Sequence, residues 1–351
     1  MDSRPCAQQR YHAAIHATAR RARVLVFLVL VGVTVAAPRT PAHGADPVLP
    51  YGINVHLASG AVLDRVTEAG IAWIRVDFNW FLMEPSRDVY DWSVTDAVVD
   101  AARARGLNVF ATLAYTPGWA NGGQGTNVPP ADAADWYQFV FDTVSRYKGA
   151  VKHWGMWNEP NHPQFYSGSR EQYIQDVLRL GARAARDADP TSFVLGPELA
   201  HLESADWKMW LYTVLTEAGD VIDIVTHHAY DDTGWQVLHN MGARVAFRRS
   251  STPRGIMELT GTADKPLWLT ETGWRTDEVS EEQQAEYYVQ VLKGVDALGW
   301  LDKIFFYEII DDARFPAQWG ILRSDLSPKD AFYRYQSYIA THGPAAAARG
   351  R

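Results

Sequence analysis

The chain has 351 residues, 47% of them hydrophobic and 12% aromatic, with 33 Lys+Arg against 41 Asp+Glu and a single cysteine. That composition supports a large aqueous core and excludes collagen, low-complexity disorder and a disulfide-stapled miniprotein. Six of the basic residues and one of the acidic ones fall in the first 44 positions, so the rest carries 27 against 40, a formal charge near −13. A field of that sign repels phosphate backbones and anionic surfaces and argues against nucleic acid as a partner.

In chain order, residues 4 to 23 are Arg-rich, residues 24 to 37 (VLVFLVLVGVTVAA) are apolar, and Ala42-His43-Gly44 puts small residues where a signal peptidase reads. This is the pattern of an export signal. The 14-residue apolar run would be about 21 Å long as a helix, short of the roughly 20 residues that cross a bilayer. Residues 1–44 are therefore expected to be a signal peptide on a secreted or periplasmic protein. The alternative is an uncleaved N-terminal anchor, given the long Arg-rich stretch and Pro38 and Pro41 just beyond the run. Arg20-Arg21 matches a twin-arginine signal poorly. Cys6 lies inside this segment, so the mature chain would lack thiol nucleophiles, thiolate metal sites and disulfides together.

From Tyr51 onward one unit repeats: a short β-branched or aromatic run, a polar loop, then a stretch of helical period. The runs Tyr51 to Leu57, Ala72 to Phe78, Asn108 to Ala114, Lys152 to Trp157, Phe193 to Pro197, Ile222 to His227, Leu267 to Glu271 and Ile304 to Ile309 predict eight strands. Between them the spacing predicts helices such as Thr95 to Arg105, Ala131 to Tyr147, Gln172 to Ala188 and Glu281 to Leu298, the last opened by a Ser280-x-x-Gln283 capping box. Alternating strands and helices imply a parallel sheet, and eight units in about 300 residues match one (β/α)₈ TIM barrel spanning 45–351. A doubly wound open sheet is the rival, but no GxGxxG or P-loop pattern follows the first strand. The Ala-rich end from Ala345 to Arg351 is expected to fray.

In a barrel of this kind the C-terminal ends of the strands carry the chemistry. Strand four ends Trp157-Asn158-Glu159-Pro160-Asn161 and strand seven ends Thr270-Glu271-Thr272-Gly273-Trp274. One such glutamate is ordinarily a solvated loop charge or half of an ion pair. Two at barrel mouths suit glycoside hydrolysis, which needs one carboxylic acid to protonate the leaving oxygen and one carboxylate to attack or assist on the opposite face.

These two motifs resemble clan A of the retaining glycoside hydrolases. Tyr51-Gly52-Ile53-Asn54-Val55-His56, Thr116-Pro117-Gly118-Trp119-Ala120 and Gly320-Ile321-Leu322-Arg323-Ser324-Asp325 resemble glycoside hydrolase family thirty-nine. The resemblance covers residues 50 to about 340. It implies Glu159 as acid/base, Glu271 as nucleophile and Asn158 on the sugar 2-OH. It also places His228 and Tyr230 against the nucleophile and ring oxygen. The nucleophile would need a low pKa and the acid a raised one, and Arg75 at the end of strand two is a candidate to hold Glu271 charged. His227 and His228 are neighbours on a strand and point to opposite faces, so they cannot chelate one ion together; neither metal nor cofactor is expected.

Asn54 and His56 are candidates for sugar hydroxyls or for barrel-floor hydrogen bonds, and Asn161 joins the substrate-binding candidates. Of 14 tryptophans, Trp73, Trp154 and Trp268 lie within strands and are expected to pack, while Trp119, Trp274 and Trp319 lie in loops and suit sugar stacking. Strand eight offers Tyr307 and Glu308 where many clan members carry Trp, and Glu198 and Glu308 can serve either as hydroxyl contacts or as structural pairs. The cluster of Arg244, Arg248, Arg249 and Arg254 is either an exposed helix face or a site for an anionic polysaccharide. The family's xylosidases and iduronidases append a β-sandwich for which this chain has no room, so it resembles barrel-only relatives that cut bacterial exopolysaccharide. The expected partner is a polysaccharide or oligosaccharide bound by a monomer, with membrane contact only through an uncleaved N-terminus. The expected activity is endo-acting retaining hydrolysis of β-linkages. The alternatives are an exo-acting β-xylosidase-like enzyme, a non-catalytic carbohydrate-binding barrel and a membrane-retained scaffold component of exopolysaccharide assembly.

Overall fold

Each of the eight apolar runs forms a strand: β1 (Tyr51–Asn54), β2 (Trp73–Asn79), β3 (Asn108–Ala114), β4 (His153–Met156), β5 (Phe193–Leu199), β6 (Ile224–His228), β7 (Leu267–Thr272) and β8 (Lys303–Phe306). All pair in parallel in chain order, and β8 returns to β1 to close the barrel. The computed structural model describes residues 49–200, 206–243, 252–314 and 316–342. The expected signal segment, Arg244, Arg248 and Arg249 of the basic cluster, and the Ala-rich end lie outside them. Among the described residues no helix is long and apolar enough to cross a membrane.

Helices cover the outer face because the strands are apolar on both sides, as a parallel sheet requires. The Glu281–Leu298 helix starts with the expected box: Ser280 Oγ accepts from the Gln283 amide, and the Gln283 side chain accepts from the Ser280 amide. It ends at Gly299, whose φ of 62° favours glycine. The helix predicted over Gln172 to Ala188 instead begins at Arg170–Gln172, widens to π-type turns over Tyr173–Arg179 and resumes over Leu180–Ala188. The wider turns bury Tyr173, Ile174, Val177 and Leu178 together. Strands β1 and β8 are shorter than predicted. His56 leaves the ladder with φ of 49°, and beyond β8 Ile310 pairs with Leu322 in the following loop.

Inside the barrel the lower layer is an aromatic plug of Trp73, Phe110, Leu195, Ile224, Trp268 and Phe305. Gly52 is required there, since a Cβ would lie 2.5 Å from the Phe305 ring. Above it sits a polar layer containing Asn54, Arg75, Thr112, Glu198, Thr226 and Thr270, all buried. Arg75 Cζ stands 5.7 Å over the Phe110 ring and joins the two layers.

Two strands carry one extra residue. Register slips between Pro197 and Leu199 of β5, and between Leu269 and Thr272 of β7. Strict alternation from Leu195 and Trp268, which face the plug, would send Glu198 and Glu271 outward. The bulges bring both side chains into the barrel.

Candidate active site

The residues leaving the strand ends enclose a cleft of about 400 Å³ whose lining includes His56, Asn158, Glu159, Tyr230, Glu271 and Trp319. Glu159 follows β4 in a left-handed backbone, φ 45°, and Glu271 rides the β7 bulge. Their carboxylates converge: one oxygen of each and a ring nitrogen of His228 lie within 4.8 Å of one another.

Both oxygens of Glu271 are held. Arg75 Nη1 donates to Oε1 at 2.8 Å and the Tyr230 hydroxyl donates to Oε2 at 2.8 Å. Burial pushes the Glu271 carboxyl above the ordinary glutamate range and Glu159 adds to this, against the pull of His228 and Arg75. The expectation of a low value is thus reversed, because desolvation outweighs the two cations. Burial and the Glu271 charge push the Tyr230 phenol far up, so it remains a donor across the working pH range.

His228 Nδ1 lies 2.7 Å from Glu159 Oε1 and 3.5 Å from Glu271 Oε2. Its expected position was against the nucleophile, yet its short bond goes to Glu159. Burial opposes its charge, but Glu271, Glu159 and Glu198 more than offset this and raise it to about 9, so the ring is cationic at neutral pH. His227 faces away and packs on Trp207 with ring centroids 5.0 Å apart. A divalent ion could use the Glu159, His228 and Glu271 donors only by displacing the hydrogen bonds they already make.

Arg75 is buried and serves four neighbours. Besides Glu271, it donates to Asn54 Oδ1, Asn158 Oδ1 and Glu198 Oε2 at 2.8, 2.8 and 2.9 Å. Burial disfavours its charge, but Glu198, Glu271 and Asp77 hold it above the usual arginine value. Asn158 borders the cleft and donates to the Tyr115 hydroxyl at 3.3 Å.

Across the cleft His56 links two carboxylates, Nδ1 to Asp77 at 2.5 Å and Nε2 to Glu308 at 2.9 Å, with 43% of its side chain exposed. Desolvation within the cleft works against its charge although the ring edge meets solvent, but Asp77 and Glu308 raise its pKa, and His56 and Arg75 hold Asp77 down at about 2 despite burial. Asp77 was not among the candidates, although β2 alternation from Arg75 puts it on the same face. Tyr115, Phe165 and Gln164 also line the cleft and were not singled out; they sit in loops that no period describes.

Besides His228, four candidates lie off the cleft lining. Asn54 belongs to the floor: its amide donates to the Thr270 and Phe306 carbonyls at 3.1 Å each, leaving nothing for a sugar. Trp119 donates to the Glu84 carbonyl at 2.8 Å and packs edge-on against Trp80, off the cleft lining. Asn161 exchanges two hydrogen bonds with the backbone of Ala200 at 2.8 and 2.9 Å, tying the loops after β4 and β5. Trp274 is buried, with its indole N–H on the Asp231 carbonyl at 2.7 Å, and borders a second cavity. Trp319 lines both spaces. Trp73, Trp154 and Trp268 are buried packing residues as expected.

The family model described as Glycosyl hydrolase family 10 matches residues 76–337. A β-xylosidase of Geobacillus stearothermophilus is 23% identical over 284 residues, 72% of this chain and 56% of its own. The chain thus spans little more than half the length of that curated relative. A monomeric β-xylosidase from Caulobacter crescentus CB15 superposes with a TM-score of 0.68 at 21% identity, over 84% of this chain and 69% of that one. A family 39 glycoside hydrolase from Bacteroides cellulosilyticus WH2 does so with 0.67 at 18%, over 82% and 63%. Native xylanase 10B from Thermotoga maritima gives 0.61 at 17%, over 83% and 94%. At these identities the structural likeness speaks for the fold alone, a TIM barrel. Through the family match, the chain belongs to glycosyl hydrolase family 10, within the clan A glycoside hydrolases that also embrace family 39.

Proposed function

We propose that the protein hydrolyses β-glycosidic bonds of a polysaccharide with net retention, cutting within the chain. The observation that carries the mechanism is the approach of Glu159 and Glu271, with carboxylate oxygens within 4.8 Å. Retaining pairs sit about 5–5.5 Å apart, while inverting pairs need roughly 6.5–9.5 Å to admit a water. In the first step Glu271 attacks the anomeric carbon as the glycosidic bond breaks, and Glu159 gives its proton to the leaving oxygen. In the second, water attacks the same carbon, Glu159 takes the water's proton, and the bond to Glu271 breaks to restore its carboxylate. His228 engages Oε1 of Glu159, which leaves Oε2 to carry the moving proton.

Endo action is supported by the second cavity, of about 500 Å³, bordered by Trp274, Arg275, Val279 and Tyr287. It shares Tyr230 and Trp319 with the catalytic cleft, so a glycan leaving the cleft meets a second sugar-sized space with an aromatic wall. The Geobacillus relative, a β-xylosidase, favours a second reading, an exo-acting β-xylosidase. Reducing-end release from xylans, β-glucans, mannans and bacterial exopolysaccharides, by wild type beside Glu159→Gln and Glu271→Gln, decides between them. A product ladder supports endo action and release of monomer alone supports exo action. Silence of the wild type with binding retained would point to a non-catalytic barrel.

A further inference from the structure

Glu198 is a fully buried carboxylate that the hydrolytic steps above do not use. We propose that it is a positioning residue for both glutamates, its side chain aiming Arg75 at Glu271 and its backbone carbonyl fixing Glu159. The proposal rests on the retaining mechanism above and extends it to a residue that never meets the sugar.

The side chain reaches its place through two local departures from regular structure. The β5 bulge turns residue 198 inward, with φ of 51°. Opposite it, β4 carries Gly155, where a Cβ would lie only 2.0 Å from Glu198 Oε1, so this strand must have glycine for the carboxylate to enter. Once inside, Oε2 accepts from Arg75 Nε at 2.9 Å and lies 2.7 Å from Nη2, gripping one edge of the guanidinium. The Thr112 hydroxyl donates to the same carboxylate at 3.2 Å, and the Glu198 amide donates to Thr226 Oγ1 at 3.1 Å. A guanidinium is rigid and planar, so gripping one edge fixes the direction of the other. That other edge, at Nη1, is the one that meets Glu271. The backbone acts on the second glutamate: the Glu159 amide donates to the Glu198 carbonyl at 3.0 Å, at the point where Glu159 itself takes a left-handed φ.

The charge of Glu198 matters as well as its shape. The ionisable groups around it are Arg75 of β2, His228 of β6 with Nε2 3.8 Å from Oε2, Tyr173 from the helix after β4, and the two glutamates beyond. Its negative charge offsets part of the Arg75 cation. Neutralising it exposes Glu271 to more of that cation and favours the ionised nucleophile. A role in packing alone would leave that balance untouched.

The test measures kcat and KM against pH on an aryl β-glycoside, using the full chain as wild type, Glu198→Gln, Glu198→Asp and Thr112→Val. Glu198→Gln is expected to lower kcat about 10- to 100-fold through misalignment of the reacting groups. KM should stay within about twofold, and the acidic limb of the profile should move to lower pH, because the isosteric amide oxygen still accepts from Arg75 and the lost negative charge decides the sign. Glu198→Asp restores the charge and should return that limb toward wild type while leaving part of the kcat loss. Thr112→Val, which keeps the carboxylate and loses one hydroxyl contact, should lower kcat by about threefold and carries the test if Glu198→Gln does not fold. An active wild type whose variants keep both kcat and the acidic limb overturns this proposal alone. A wild type inert on every aryl glycoside overturns it together with the mechanism beneath it.

Discussion

Arg75 Nη1 lies 2.8 Å from Oε1 of Glu271, reaching from within β2 rather than from its end across the barrel interior to β7, with both side chains buried. The pair opposes the desolvation that would otherwise keep Glu271, the proposed nucleophile, protonated. Arg75→Lys keeps a positive charge but replaces a planar fork with a single ammonium that cannot reach Glu198, Asn54, Asn158 and Glu271 together. The expected outcome is a loss in kcat/KM of at least about 100-fold and an acidic limb displaced to higher pH. The sign follows from linkage: Glu271 must be ionised to attack, its pKa is already raised by burial, and a weaker cation raises it further. A pH–rate profile checks this, and a limb displaced downward would sink it.

Tyr230 holds the other oxygen of Glu271 and makes a separate prediction. Tyr230→Phe keeps the ring against Trp319, with centroids 5.3 Å apart in the wild type, and removes only the hydroxyl donor. A hydrogen bond to a charged acceptor is worth about 1.5–3 kcal/mol, so kcat/KM is expected to fall about 10- to 100-fold, with the melting temperature nearly unchanged. A large drop in melting temperature would instead assign Tyr230 to the stability of the loop.

How far the site was legible in the sequence follows from these contacts. The eight strands were readable because each is a short apolar run between polar loops. Glu159 and Glu271 were readable from motifs rather than from period, since alternation along β7 would put Glu271 outside the barrel. Glu198 has the same bulge without a motif, and its role stayed open for that reason. Asn54 and Trp119 are residue types that suit a sugar, but Arg75 and the Thr270 and Phe306 carbonyls claim the first and the Glu84 carbonyl claims the second. Competition among polar groups for one another is decided by three-dimensional proximity, which spacing along the chain does not encode.

The second cavity turns the endo reading into a measurement of chain length. Val279 borders that cavity and not the catalytic cleft. Val279→Trp should fill the space without touching Glu159 or Glu271. If a sugar binds there, kcat/KM on long oligosaccharides is expected to fall about tenfold, the equivalent of about 1.4 kcal/mol, while hydrolysis of a short aryl glycoside is unchanged. Equal rates on all chain lengths in wild type and variant would remove the cavity from the substrate path and favour exo action.

At the opposite end of the barrel Lys303 is a buried cation, 8% exposed, with Nζ 4.3 Å over the Trp73 ring and 5.0 Å over Trp268. Burial pulls its pKa down to about 8 against a weaker pull upward from Asp302, and with burial Lys303 helps to hold His153 down at about 3. The unfolded lysine titrates near 10.4, so between about 8 and 10.4 the unfolded chain binds more protons than the folded one. Stability therefore rises with pH across that window, and the full penalty, about 3 kcal/mol, applies below it. Contacts with two indoles return part of this, at roughly 0.5–2 kcal/mol each. Lys303→Met keeps the volume and removes the charge, so the variant is expected to be more stable than wild type at pH 6–7 by about 1–2 kcal/mol and to lose that advantage near pH 10. Denaturant midpoints at several pH values measure the difference. A variant less stable than wild type at neutral pH would show that the indole faces outweigh the desolvation, making Lys303 a stabilising cation at the foot of the barrel.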